Sequence, residues 1–288
     1  MLMQWKGLAA MIYANRALPD YSVLMSVYIK DIPEWFELAV ESMANQTHRP
    51  KEIIIISDGD ITPELCSAQQ RCIDRHPELI RTIALEKNVG LAEAMRLGVT
   101  ECKCEWIARM DADDVSDSRR CEKELILALE KEADIVGCDS EEFIGDISNP
   151  QSRRVFPASH EELVDFSRRK VPFCHPAVMM KKSAVLRAGN YHNVFPHDDY
   201  DLFVRMLATG SVGCTVKEIL FHVRVSEDFY KRRGGVKYVL TLLGYNLQLL
   251  KKGWMRPSDF IVRSCGNIIF GLAPVHLRSW LYRRLLRK

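Results

Sequence analysis

Four consecutive isoleucines, Ile53–Ile56, sit inside the run Glu52–Ser57. Strand side chains alternate between two faces, so an unbroken apolar run suits a strand covered on both sides. That predicts a sheet with helices on each face. The neighbouring sequence agrees. Ser22–Tyr28 is rich in β formers, and Pro33–Asn45 follows with Phe36, Ala39, Val40 and Met43 at helical spacing. Thr62–His76 reads as a helix, with Thr62 as its cap and Pro63 in its first turn. Arg81–Leu85, Trp106–Met110 and Asp134–Cys138 read as further strands, and Gly90–Cys102 and Ser118–Lys131 as helices. The alternation predicts an α/β chain with a mostly parallel sheet.

Beyond Phe143 the regularity fades. Phe143–Lys170 reads as irregular, with Asp146–Arg154 as a loop. Pro172–Pro176 is a turn before the apolar Ala177–Met180. Asp198–Leu207 is a helix opening on Asp198, Asp199 and Asp201, and acids suit a helix N-terminus. Val236, Val239, Leu240, Leu243, Leu247 and Leu250 form the stripe of a packing helix.

The 288 residues suit one large domain, or one domain with a small appendage. A net charge of +2 makes no electrostatic case for a nucleic-acid partner. The charge is uneven, however: Lys251–Lys288 carries nine basic residues against one acid, Asp259. The nine cysteines are scattered, and Cys102-x-Cys104 lacks the spacing of a zinc or redox pair, so a reduced, cytosolic protein is expected. No stretch reaches about 18 consecutive apolar residues, the length of a spanning helix. Met1–Ala17 is apolar but has no basic start and is interrupted by Lys6. It reads as a helix packed on the body or on lipid, or as a mis-chosen start, rather than a signal peptide.

The chemistry concentrates in Trp106–Asp114. A short buried run delivers Asp111, Asp113 and Asp114 to the end of a strand. Clustered carboxylates repel and raise each other's pKa, a cost that a divalent cation removes. Asp-x-Asp on an extended segment points both side chains the same way, and hard oxygen ligands suit Mg²⁺ or Mn²⁺ with substrate phosphates. The alternative is an acidic surface turn. Asp58, at the end of the second strand, falls at the same sheet edge, where open α/β sheets bind ligands.

These residues resemble those of the bacterial family 2 glycosyltransferases, the inverting GT-A type that builds O-antigen, capsule and exopolysaccharide. Ser22–Tyr28, Asn45-Gln46-Thr47 with Pro50–Ile53, Asn88–Ala92, Ala108–Asp114 and Asp198–Leu202 carry the likeness, with His175–Met179 and Tyr230–Gly235 as subgroup-like blocks. The resemblance implies a GT-A, Rossmann-like domain over 21–235, with 21–140 as nucleotide-binding half and 141–235 as acceptor half. An apolar extension over 1–20 precedes it, and a basic helical tail over 236–288 follows. It also implies a nucleotide-sugar donor, usually UDP-linked. Val27 and Tyr28 would line the base pocket, and Asp58 would contact uracil or ribose. Asp111 would reach the ribose or the metal shell, and Asp113 would ligate Mn²⁺ or Mg²⁺. Asp199 matches the catalytic base, with Asp198 as an orienting neighbour or alternative base. Arg232 and Arg233 would cover the diphosphate, and His175 would face the acceptor or serve as a buried structural histidine. Relatives often carry two acids where this chain has Ser57-Asp58, and some place a metal-reaching histidine where Ser226 stands.

Acceptors in the family are commonly lipid-diphosphate sugars at the inner face of the cytoplasmic membrane. Leu277, Trp280, Leu281 and Leu285 fall on one face of a helical wheel flanked by Arg283 and Arg287, a pattern that suits peripheral contact with that membrane. Two alternatives remain. A sugar nucleotidyltransferase shares the sheet architecture but needs a glycine-rich loop after the first strand, where this chain reads Tyr28–Pro33 without glycine. A non-catalytic sugar-nucleotide-binding scaffold would keep the acids without turnover.

Overall fold

The isoleucine run forms the second strand of a mixed sheet, seen in a computed structural model that describes residues 17–225 and 234–274. The first half alternates as expected. It runs β1 (Tyr21–Val27), α1 (Pro33–Ala44), β2 (Glu52–Ser57), α2 (Pro63–Arg75), β3 (Ile80–Ala84), α3 (Leu91–Glu101), β4 (Trp106–Met110), β5 (Val115–Ser116) and α4 (Arg120–Glu130). Thr62 caps α2, its hydroxyl accepting from Leu65 N. β1 pairs in parallel with β2 and β4, and β2 with β3.

Period-two alternation divides the core. Ile53 and Ile55 enter one apolar layer with Phe36, Val40 and Met43 of α1 and Leu65 of α2. Ile54 and Ile56 enter the opposite layer with Met95 and Val99 of α3. Both layers are sealed, which is why β2 needs no polar face.

The second half departs from the sequence reading. It contains β6 (Ile135–Phe143), β7 (Pro150–Arg154), α5 (His160–Ser167), a 3₁₀ turn (His175–Ala177), β8 (Val178–Lys181), α6 (Lys182–Arg187), α7 (Asp198–Ala208) and β9 (Gly213–Arg224). The strand order is β3-β2-β1-β4-β8-β6-β9-β5, with β7 on β6. β8 inserts antiparallel between β4 and β6, so the sheet is parallel on one side and mixed on the other. The expected loop at Asp146–Arg154 is instead mostly an antiparallel edge strand, β7. α5 opens with a capping box, in which Ser159 Oγ accepts from Glu162 N while Glu162 reaches back to Ser159 N. The long β9 and the short β5 were absent from the sequence reading.

α8 (Val236–Lys251) and α9 (Pro257–Leu272) form a hairpin docked on the outer side of α7. Tyr245 and Leu249 of α8 meet Tyr200 and Val204 of α7, and the Tyr245 hydroxyl donates to Asp201 Oδ1 at 3.1 Å. Leu277, Trp280, Leu281 and Leu285 lie outside the described residues. Among the described residues no helix is long and apolar enough to cross a membrane.

Candidate active site

The site grows from the carboxyl ends of the parallel strands. After β1 the chain closes a turn in which Asp31 N donates to Tyr28 O (3.0 Å) and Tyr28 N donates to Asp31 Oδ2 (2.9 Å). After β2, Asp58 N donates to Val27 O at 2.8 Å. Gly59 then takes a φ of +82°, and a Cβ there would lie 2.5 Å from Asn88 N, so only glycine lets this turn close on the β3–α3 loop. Asp58 secures that loop. Its carboxylate accepts from Val89 N (2.7 Å), Gly90 N (3.0 Å) and Asn88 Nδ2 (3.1 Å). Tyr28, Ile29, Lys30, Asp58, Asp60 and Glu86–Asn88 line a cleft of about 520 Å³.

Beside this edge lie the carboxylates of Asp111, Asp113 and Asp114, each offering an oxygen within 4.8 Å of the others. Asp111 Oδ1 pairs with Arg109 Nη2 at 2.5 Å. Asp114 is buried, and its Oδ1 accepts from Arg224 N at 2.7 Å. The Arg224 guanidinium lies 4.5 Å from both the Trp35 and Phe143 rings, and its Nε donates to Asp113 O at 2.9 Å. The end of β9 thus clamps the acidic turn. Burial, then the charge of Asp111, pushes the Asp113 carboxyl up to about 6, and burial and both neighbours hold Asp114 well above the carboxylate range. Asp31 is pushed up to about 7 by burial, against the Tyr28 amide, with Asp113 and Asp111 adding to the rise. Three hard oxygen donors with too little counter-charge fit Mg²⁺ or Mn²⁺.

The second half contributes a second set of acids. Asp198 and Asp199 open α7, where Asp198 Oδ1 accepts from Val194 N (2.7 Å) and Asp199 Oδ1 from Tyr200 N (2.7 Å). Burial raises Asp198, with Asp199 and Asp201 adding like charge. Burial also raises the Tyr191 hydroxyl, which feels Arg109, Asp199, Asp111 and Asp198 together. Arg154 on β7 lies in the field of both Asp199 and Asp114. The fold therefore gathers the α7 acids and the β4 acids around Arg109, Tyr191 and Arg154. His175 is half-buried, its Nε2 is 2.9 Å from the Tyr191 hydroxyl, and its ring meets Phe203 edge-on. Burial and then Arg109 hold it well below the usual histidine range, so it is neutral at pH 7.

Not every expected residue faces the cleft. Val27 is buried in the core against α1, and its contribution here is the carbonyl that fixes Asp58. Tyr28 lines the cleft, and Asp58 lines it while spending its oxygens on the loop. Arg232 and Arg233 lie outside the described residues. Sequence reasoning missed Asp31, Arg109, Arg154 and Arg224. Arg109 had a signal: a charge inside a buried strand that is 1% exposed must be paired, and the nearest acid is two residues on, on the same face. Arg224 and Arg154 had none, because each reaches the acids only through the sheet order.

Comparison with known proteins places this geometry. Residues 22–188 match the model described as Glycosyl transferase family 2. The chain is 33% identical to the E. coli UDP-Gal:alpha-D-GlcNAc-diphosphoundecaprenol beta-1,3-galactosyltransferase, over 94% of this chain and 98% of that protein. It is 30% identical to the amylovoran biosynthesis glycosyltransferase AmsE of Erwinia amylovora, over 92% and 98%. Among solved structures, the mannosyltransferase PcManGT from Pyrobaculum calidifontis, in complex with GDP-Man and Mn²⁺, superposes with a TM-score of 0.62 at 15% identity, over 97% of this chain and 78% of that one. TarS of S. aureus gives 0.63 at 15% over 92% of this chain, which spans about half (48%) of TarS. At such identity the structures speak to the fold alone, which is GT-A-like. The matched segment covers β1–β4, the acidic turn and β8, and with it the chain belongs to glycosyl transferase family 2.

Proposed function

We infer that this enzyme moves a sugar from a UDP-sugar to a lipid-diphosphate-linked glycan in surface-polysaccharide assembly, with inversion at the anomeric carbon. The observation that carries the reading is the carboxylate triplet Asp111, Asp113 and Asp114 after β4, which acts with the α7 acids on the same groups, Tyr191 and Arg154. The galactosyltransferase relative supplies the substrate classes: its name specifies UDP-Gal and a diphosphoundecaprenol-linked sugar.

The base and ribose occupy the cleft against Tyr28 and Asp58, and Val27 supports its floor through the Asp58 amide. Asp113 and Asp111 hold Mn²⁺ or Mg²⁺, with Asp114 and Arg224 fixing the turn that presents them. Bound there, the ion supplies positive charge for the departing diphosphate. Arg232 and Arg233 add forked donors to the same phosphates. Asp199 takes the proton of the acceptor hydroxyl as its oxygen bonds to the anomeric carbon. The bond from that carbon to the β-phosphate oxygen breaks, and its electron pair leaves with UDP. One base opposite one leaving group gives a single displacement. Asp198 orients the start of α7, and neutral His175, held by Tyr191, borders the acceptor side. The enzyme works at the inner face of the cytoplasmic membrane, with its basic tail among anionic headgroups.

The test is UDP release from a panel of UDP-sugars with Mn²⁺ and a lipid-diphosphate-linked acceptor. EDTA and Asp113→Ala should each abolish release. Asp199→Asn should keep UDP affinity and lose turnover by about three powers of ten or more. Normal turnover of Asp199→Asn would remove Asp199 as the base.

A further inference from the structure

The outward face of α9 carries no charge. At 100° per residue, Ile261, Val262, Cys265, Ile268, Ile269 and Leu272 fall on one side of this helix. Ile261, Val262 and Ile269 are each close to 60% exposed (60%, 58% and 59%), and Leu272 is 53% exposed. The two charged side chains of α9 point elsewhere. Asp259 is buried and accepts from Arg169 Nε at 2.5 Å. Arg263 donates to Asn246 Oδ1 (2.9 Å) and Arg169 O (2.6 Å). On α8, Val236, Leu240 and Leu247 are exposed as well, with exposed Lys237 and Lys251 beside them. Soluble monomers rarely leave so many large aliphatic side chains together in water.

The hairpin is a built surface. Gly235 N donates to Gly271 O at 2.9 Å, and a Cβ on Gly271 would fall 2.3 Å from Val239 Cγ2, so the two helices touch at their open ends. Asn246 Nδ2 donates to Ser264 Oγ at 3.2 Å inside the contact. Tyr245 ties the hairpin to Asp201 on α7, the helix that begins with Asp198 and Asp199.

We propose that the exposed α8–α9 face is a docking surface for an anionic lipid bilayer. The chemistry of the surroundings chooses this occupant. Lys237, Lys251 and Lys252 are exposed on α8 and at its C-terminal end, whereas Arg256 pairs with Asp165 (3.2 Å). Beyond residue 274 the sequence itself carries Arg278, Arg283, Arg284, Arg287 and Lys288 and no acid. A second copy would set these cations against their own kind. A bilayer with anionic headgroups takes the aliphatic side chains and the cations together. Docking by this face would tether α7, and with it Asp199, at the surface where a lipid-linked acceptor presents its sugar. The inference deepens the lipid-linked reading above, yet vesicle binding needs neither donor nor acceptor, so each can fail without the other.

The experiment is flotation of the full chain with phosphatidylglycerol–phosphatidylethanolamine vesicles, compared with phosphatidylcholine vesicles and with the variant Ile261→Ser/Ile269→Ser. The wild type should float with the anionic vesicles, less so at high salt, and poorly with the neutral ones. The double variant should lower the partition coefficient about tenfold or more, while its melting temperature and its rate on a water-soluble acceptor stay as in the wild type. Ile261→Trp should show a blue-shifted emission with anionic vesicles only. Absence of flotation, flotation that the double variant leaves unchanged, or a lipid-free dimer that the double variant dissociates would each overturn the proposal.

Discussion

Asp58 separates two explanations of one acid, because the same carboxylate lines the cleft beside Tyr28 and holds the loop after β3. Consider Asp58→Asn. The carboxylate accepts from two backbone amides, Val89 N at 2.7 Å and Gly90 N at 3.0 Å, and from Asn88 Nδ2 at 3.1 Å. An asparagine keeps one acceptor oxygen and turns an NH₂ toward the other donor. One partly buried N–H is then left without a protein partner, at about 1–3 kcal/mol, and the surviving bonds lose their charge assistance, about 1 kcal/mol more. The total of about 2–4 kcal/mol should lower the melting temperature of the nucleotide-free protein by roughly 4–8 °C. Differential scanning calorimetry gives that number, and titration calorimetry with UDP gives the affinity of the same variant. A residue that only touches the base would weaken UDP binding and leave the free protein's transition where it was. That pattern would refute the loop-anchoring argument, and with it the claim that Gly59 and Asp58 act together to shape the cleft.

Other consequences follow from the same geometry. Asp31, Asp113 and Asp114 bind protons more tightly folded than unfolded, so without metal the stability should fall as pH rises from the carboxylate range through about 7. In EDTA the melting temperature should therefore drop between about pH 4 and about pH 7, added Mn²⁺ should reverse the drop, and Asp113→Asn should flatten it. Arg224→Lys loses the stack between Trp35 and Phe143 and the fork to Asp113 O and Gly145 O. It should cost about 1–3 kcal/mol and weaken Mn²⁺ binding several-fold, as measured by denaturation and by metal titration. Gly98→Ala should gain about 1 kcal/mol of helix propensity and lose more to overpacking, because its Cβ would sit 2.2 Å from Leu24 Cδ1. A net stabilisation in urea would show that α3 and β1 can separate freely.

Legibility along the chain tracks how local the physics is. Ile53–Ile56 announces a doubly covered strand because alternation alone sends successive residues into two cores. Thr62 with Pro63 marks the start of α2, and Trp106–Asp114 marks a strand that ends in acids. β7 was hidden because Pro150–Arg154 has no apolar alternation, as befits an edge that meets only β6. β9 was hidden because its pairing with β6 slips in register around Asp139, and the exposed Lys217 and Glu218 interrupt its pattern there.

The order of residues alone determined the alternating half, the acids at the strand ends, the α7 helix and the family likeness, since each depends on near neighbours in the chain. Only the tertiary structure decided which side chains complete the site. The antiparallel insertion of β8 brings His175 beside Tyr191, the long β9 carries Arg224 to the acidic turn, and β7 carries Arg154 to both sets of acids. The hairpin's uncharged face belongs to the same category. A helical stripe in sequence reads as packing, and it becomes a surface only where the fold leaves it exposed among the described residues.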